Sequence, residues 1–143
     1  RGPETLTVMI QKDVAERIAA KPGSRAYGSL SLAVRYAMEV EPAFTLGPRS
    51  FFPPPKVRST VVLLRRRVEP PVRPRDLAFF WKVVRAAFAY RRKTLANSLM
   101  LALGFDRARI KQALAQSDLS PEQRGERLDF DDFARLADAL AEE

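Results

Sequence analysis

The stretch Ser50-Phe51-Phe52-Pro53-Pro54-Pro55-Lys56-Val57-Arg58-Ser59 constrains this chain more than any other. Each proline holds φ at about −65° and lacks an N–H, and each drives the residue before it toward extended geometry. Phe52 to Pro55 is therefore expected to be stiff and extended, and excluded from a helix interior or a central strand. Two phenylalanines stand at its mouth, and the run Thr60-Val61-Val62-Leu63-Leu64 follows as a strand. A rigid backbone that presents an aromatic face suits a site that must stack a flat ring, because no loop has to be ordered first. The same residues also suit a proline-rich connector whose phenylalanines plug a core.

Composition narrows the chemistry. The 143 residues contain no cysteine and no histidine. Disulfides, a thiolate metal site, a cysteine nucleophile, an imidazole base and the commonest transition-metal ligand are thus excluded. No apolar run approaches the roughly 20 residues that span a bilayer, and Arg1-Gly2-Pro3-Glu4 is not a signal peptide, so the cytoplasm is the expected location. The net charge is +8, and it is concentrated. Between Arg65 and Lys93 there are ten lysines and arginines against two acids, Glu69 and Asp76, while the rest of the chain is balanced. A basic segment of this kind fits a polyanion, above all nucleic acid; a solubilising surface is the alternative.

Along the chain, Thr5-Leu6-Thr7-Val8-Met9-Ile10 has the length and continuity of a strand buried on both faces, as in a parallel sheet. Such a strand needs neighbours on both edges, and little precedes it, so the chain is expected to begin within a domain. Gln11 to Ala20 follows as a helix with Val14, Ile18 and flanking alanines on one face, ended by Lys21-Pro22-Gly23-Ser24. Gly28 to Met38 predicts a second helix, with Ser29 as N-cap and a stripe of Leu30, Val34 and Met38. Val40 to Leu46 alternates like a strand, and Pro42 assigns it to a sheet edge.

Glu69-Pro70-Pro71-Val72-Arg73-Pro74-Arg75 has linker composition. Strands and helices alternate before it, and only helical patterning follows. Asp76 predicts the cap of a helix with an apolar stripe of Leu77, Phe80, Trp81, Val84, Ala87 and Phe88. Tyr90-Arg91-Arg92-Lys93-Thr94 is expected to open a helix through Leu95, Leu99 and Ala102 that ends at Gly104. A short helix is expected over 106–116. Ser120-Pro121-Glu122-Gln123 carries the capping-box pattern with Pro at N1. Asp129-Phe130-Asp131-Asp132 starts a last helix with the stripe Phe133, Leu136 and Leu140. The expected layout is an α/β part over 1–68, a linker over 69–75, and a bundle of about four short helices over 76–143.

Glycine-rich phosphate turns, HExxH and P-loop patterns are absent, and the Asp129–Asp132 acids fit a helix start without a metal. Two features remain. One is the loop with Phe51 and Lys56. The other is Ala87-Phe88-Ala89-Tyr90-Arg91-Arg92-Lys93-Thr94-Leu95-Ala96-Asn97-Ser98-Leu99, where three successive cations at a helix start oppose the helix dipole. Phosphate contact would account for them, since Arg forks bind phosphate oxygens bidentately and Lys adds a point charge; a solvated charge run is the alternative.

Three motifs together resemble the ribosomal RNA adenine dimethyltransferases. They are Val8-Met9-Ile10-Gln11-Lys12-Asp13-Val14-Ala15-Glu16-Arg17 with Ala26-Tyr27-Gly28-Ser29-Leu30-Ser31, the Phe-x-Pro-x-Pro-Lys-Val-x-Ser loop, and Ala-Phe-x-x-Arg-Arg-Lys-Thr-Leu-x-Asn-x-Leu. Their order and spacing match along almost the whole chain. The third also distinguishes this family from the related enzymes that act on large-subunit RNA. The resemblance implies transfer of methyl groups from S-adenosylmethionine to N6 of two adjacent adenosines near the 3′ end of small-subunit ribosomal RNA. It implies a Rossmann-like sheet, of which this chain would hold three strands and two helices at the C-terminal edge, followed by a small helical RNA-binding domain. Phe51 falls on the aromatic that stacks the target adenine, and Lys56, Arg91, Arg92 and Lys93 fall on RNA-gripping positions.

The departures from the family pattern carry equal weight. Its glycine-rich cofactor turn, its ribose-binding acid and its Asn-Leu-Pro-Tyr catalytic motif are not in these residues, and Asp13 stands where Glu is usual. The implied whole is the C-terminal portion of a monomeric enzyme that works on ribosomal RNA or a small-subunit precursor. By itself this portion would bind no cofactor and transfer no methyl group. A non-catalytic nucleic-acid-binding module and a small helical protein-interaction domain are the alternatives from other classes.

Overall fold

The structure, a computed structural model, describes residues 2–142. The chain divides into two compact units, Arg1–Pro70 and Pro71–Glu143.

The first unit runs β1 (Thr5–Gln11), α1 (Lys12–Ala19), α2 (Ser29–Ala37), β2 (Met38–Leu46), a 3₁₀ turn (Pro48–Ser50) and β3 (Ser59–Arg66). The strands form one sheet in the order β1-β3-β2, with β3 antiparallel to both neighbours. Pro42 lies opposite Val62 in edge strand β2, and the register slips between Pro42 and Phe44. A residue without an N–H is tolerated at such a position, as its sequence predicts. Val8, Ile10, Val40 and Leu64 pack with Val62 against Ala15 and Ile18 of α1. The period-2 alternation of the strands thus points one face of the sheet at the helix.

Two expectations are corrected here. Among the described residues β1 lies in no parallel ladder: it pairs with antiparallel β3, Leu6 opposite Leu64 and Ile10 opposite Thr60. Its side chains alternate too, with Val8 and Ile10 partly buried and Met9 53% exposed, because the described helices cover one face only. In α2 the N-cap is Gly28 rather than Ser29, and Leu30 is exposed while Ser31 and Leu32 are buried. The cause is Ser31. Its hydroxyl accepts from the Gly28 amide at 3.1 Å and donates to the Arg17 carbonyl of α1, which turns that face of α2 inward.

The second unit holds four helices, α3 (Leu77–Phe88), α4 (Leu95–Leu103), α5 (Arg107–Gln116) and α6 (Phe130–Ala141), with a 3₁₀ turn at Gly125–Arg127. Asp76, Thr94, Asp106 and Asp129 cap the four with their side chains, each satisfying an amide that the helix cannot. Gly104 closes α4 at φ 74°, in the left-handed region that glycine enters without strain. Phe80, Leu95, Leu99, Phe133, Leu136 and Leu140 are fully buried. Each such side chain contributes about 1.5–3 kcal/mol relative to exposure. Leu77 and Ala102, placed on apolar stripes by periodicity, are exposed instead, since each lies at the end of its helix, beyond the reach of its neighbours.

Ser120-Pro121-Glu122-Gln123 does not start a helix. It forms a turn in which the Ser120 hydroxyl meets Glu122 at 3.3 Å. Its backbone serves α4 instead. The Pro121 and Gln123 carbonyls accept from Ala96 at 3.2 Å and Leu95 at 2.7 Å, the first amides of that helix. Gly125 seats this segment against α3, where a Cβ would lie 2.9 Å from the Ala87 carbonyl oxygen. Among the described residues no helix is long and apolar enough to cross a membrane.

Candidate nucleic-acid interface

In the second unit, the structure brings Arg91, Arg92 and Lys93 into one turn between α3 and α4, all three exposed. They lie before the helix, not in its first turn, because Thr94 is the N-cap. The first amides of α4 are all engaged. Leu95 and Ala96 donate to Gln123 and Pro121, Asn97 donates to the Thr94 hydroxyl at 3.3 Å, and Ser98 donates to the Thr94 carbonyl at 2.9 Å. The amides of residues 95–98, which a helix cannot satisfy by itself, therefore all have partners within the protein. Arg92 and Lys93 form no ion pair among the described residues.

The turn is held from beneath by Ser98. This fully buried hydroxyl donates to the Ala86 carbonyl of α3 at 2.6 Å and accepts from the Tyr90 amide at 3.3 Å. The turn also closes on itself through the Lys93 amide and the Tyr90 carbonyl, 3.0 Å apart. A flexible loop would have to be ordered on binding, whereas this one presents its cations on a fixed backbone. Sequence reasoning passed over Ser98. The available signal was a polar residue at i+3 from Leu95 and next to Leu99, on the buried face of the helix.

In the first unit, Phe51 and Lys56 lie on the loop between β2 and β3. The Phe51 amide donates to Pro48 at 3.3 Å, its backbone is extended, and its side chain is half-buried. Phe52 is 99% exposed and plugs no core. The peptide bond from Phe52 to Pro53 is cis. Lys56 is exposed, and the loop is closed where the Lys12 amide donates to the Arg58 carbonyl at 2.9 Å.

The acids flagged at 129–132 are a cap. The Asp132 amide donates to Asp129 at 2.8 Å, the Asp129 amide donates to Asp132 at 3.0 Å, and Arg135 pairs with Asp132 at 2.6 Å. The described residues contain no cluster of three potential metal ligands.

The chain is 46% identical over 138 residues to ribosomal RNA small subunit methyltransferase A of Geobacillus sp. (strain WCH70), covering 94% of this chain and 47% of that protein. The Enterococcus faecalis protein of the same name is also 46% identical, again with 94% and 47% covered. The chain thus spans about half the length of the curated relatives it matches. Among solved structures it is similar to a dimethyladenosine transferase from Plasmodium falciparum, with a TM-score of 0.76 and 25% identity over 93% of this chain and 55% of that one. It is also similar to the 23S rRNA methyltransferase ErmE, with a TM-score of 0.65 and 25% identity over 96% and 55%. The family model described as ribosomal RNA adenine dimethylase matches residues 1–142, and the chain belongs to that family.

Proposed function

We propose that this chain is the RNA-facing C-terminal portion of an S-adenosylmethionine-dependent ribosomal RNA adenine N6,N6-dimethyltransferase, acting in the cytoplasm on small-subunit ribosomal RNA. The observation that carries the RNA-facing part is the exposed Arg91-Arg92-Lys93 turn, held by Ser98 and backed by an α4 whose own first amides are satisfied internally. The strand order β1-β3-β2, with an antiparallel strand between two parallel ones, supports reading the sheet as the C-terminal edge of a Rossmann-like methyltransferase sheet.

In this reading Phe51 stacks on the target adenine, and Lys56 and the basic turn hold phosphates. Stacking on one aromatic contributes about 1–3 kcal/mol. That matters because the lone pair on adenine N6 is delocalised into the ring, so the base must be taken out of its stack and aimed before it can react. S-adenosylmethionine supplies the methyl group when bound. The described residues do not fit it, since β1 passes straight into α1 through Gln11 and Lys12, with no glycine turn beside the strand end. No step through the cofactor is assigned to this chain, and by itself it is inactive.

The test is titration of the chain against a small-subunit 3′-end hairpin at several salt concentrations, with a methyl-transfer assay in parallel. Log K falling steeply with log salt, without methyl transfer, is the expected result. Binding that is flat in salt overturns the RNA reading, and methyl transfer by the chain alone overturns its predicted inactivity.

A further inference from the structure

The first unit carries a cleft of about 630 Å³ between α1, the α1–α2 connection and β2, which none of the roles above uses. Its origin lies in the sequence of α1. The helix lines the cleft with Ala15 and Ala19, whose methyl groups are too short to close the gap to β2. Across from them stands Pro42, at the slip in the β2 register. On the strand side, the hydroxyls of exposed Thr45 and buried Thr60 lie 3.0 Å apart.

Lys12 and Lys21 also line the cleft, and Glu16 sits 3.5 Å from the Lys12 ammonium, so the charge of Lys21 is left over at the rim. The α1 wall is fixed from behind. The Ser31 hydroxyl bonds the Arg17 carbonyl, and Arg35 Nη1 donates to the Ala20 carbonyl at 2.9 Å.

Three chemistries therefore meet in one concave, preformed place. Alanine methyls and a proline ring suit the flat face of a base. A hydroxyl pair that can both donate and accept suits its edge. The Lys21 ammonium at the rim suits a phosphate. An acidic peptide would use the cations alone, and an acyl chain the apolar wall alone. We propose that this cleft binds an unpaired nucleotide of the RNA. The inference rests on the RNA reading above and adds a second contact region to it, on a different unit from the basic turn.

The experiment measures binding of the whole chain to penta-adenylate, to adenosine monophosphate and to a fully paired RNA duplex, for the unsubstituted protein, Ala19→Trp, Lys21→Glu and Arg91→Ala. Ala19→Trp fills the cleft, and Lys21→Glu reverses an exposed charge at its rim without touching the core. Each is expected to weaken penta-adenylate at least about fivefold, equivalent to about 1 kcal/mol of lost contact, while Ala19→Trp leaves duplex binding unchanged.

Wild-type penta-adenylate affinity in a folded Ala19→Trp variant overturns the proposal. If that variant does not fold, unchanged affinity in Lys21→Glu overturns it. Adenosine monophosphate bound as tightly as penta-adenylate overturns RNA as the source of the nucleotide. An Arg91→Ala variant with unchanged duplex binding sinks the basic-turn reading, an outcome separable from failure of the cleft.

Discussion

The Ser98 hydroxyl of α4 donates to the Ala86 carbonyl of α3 at 2.6 Å, in a site with no access to solvent. One bond thereby ties the end of one helix to the start of the next, and the same oxygen accepts from the Tyr90 amide at the head of the basic turn. Ser98→Ala removes both partners at once. It is expected to cost about 1–3 kcal/mol, because buried polar groups are left unpaired. It should also weaken RNA binding, although Ser98 itself is buried away from any ligand. Urea unfolding checks the first effect, and the salt-dependent RNA titration checks the second.

Arg91→Ala and Arg92→Ala should each weaken RNA binding across sequences. Each should also lower the slope of log K against log salt by about one, the signature of one lost phosphate contact. The chain should fold as before, since both side chains are exposed. An unchanged slope would assign these residues to a solvated charge run.

Phe51→Ala and Phe52→Ala separate two neighbours with different surroundings, one half-buried and one 99% exposed. In a longer enzyme that carries this segment together with the family's cofactor half, Phe51→Ala should abolish methyl transfer while sparing RNA affinity. Phe52→Ala should leave turnover within a few fold. Equal turnover in the Phe51 variant removes the stacking role.

Gly125→Ala tests the seat of the 3₁₀ turn. A Cβ there would lie 2.9 Å from the Ala87 carbonyl oxygen and 3.2 Å from the Ala87 Cβ, both fixed by α3. Overpacking against a helix that cannot yield costs about 1–3 kcal/mol. The 121–123 carbonyls that satisfy α4 should loosen with it. Thermal melting reads the first effect, and hydrogen exchange at the Leu95 and Ala96 amides reads the second.

What could be read from the residues in a line is local. The caps at Asp76 and Asp129, the glycine that ends α4, the edge position of β2 set by Pro42 and the exposed cations at 91–93 all follow from the backbone chemistry of one or a few adjacent residues. The family, too, is written in three motifs that need no folding to be seen. The tertiary structure alone decided what joins residues far apart. A run such as Thr5–Ile10 has the same apolar pattern whether its partner is parallel or antiparallel, so pairing with β3 was not legible in it. Ser120–Gln123 has the residues of a helix start, yet its carbonyls close α4, which lies well before it in the chain. Ser98 and Gly125 likewise take their roles from Ala86 and Ala87, residues that become their neighbours only when the chain folds. Backbone preference acts over a turn or two of chain, whereas hydrogen-bond satisfaction and close packing act between whichever groups the fold brings into contact.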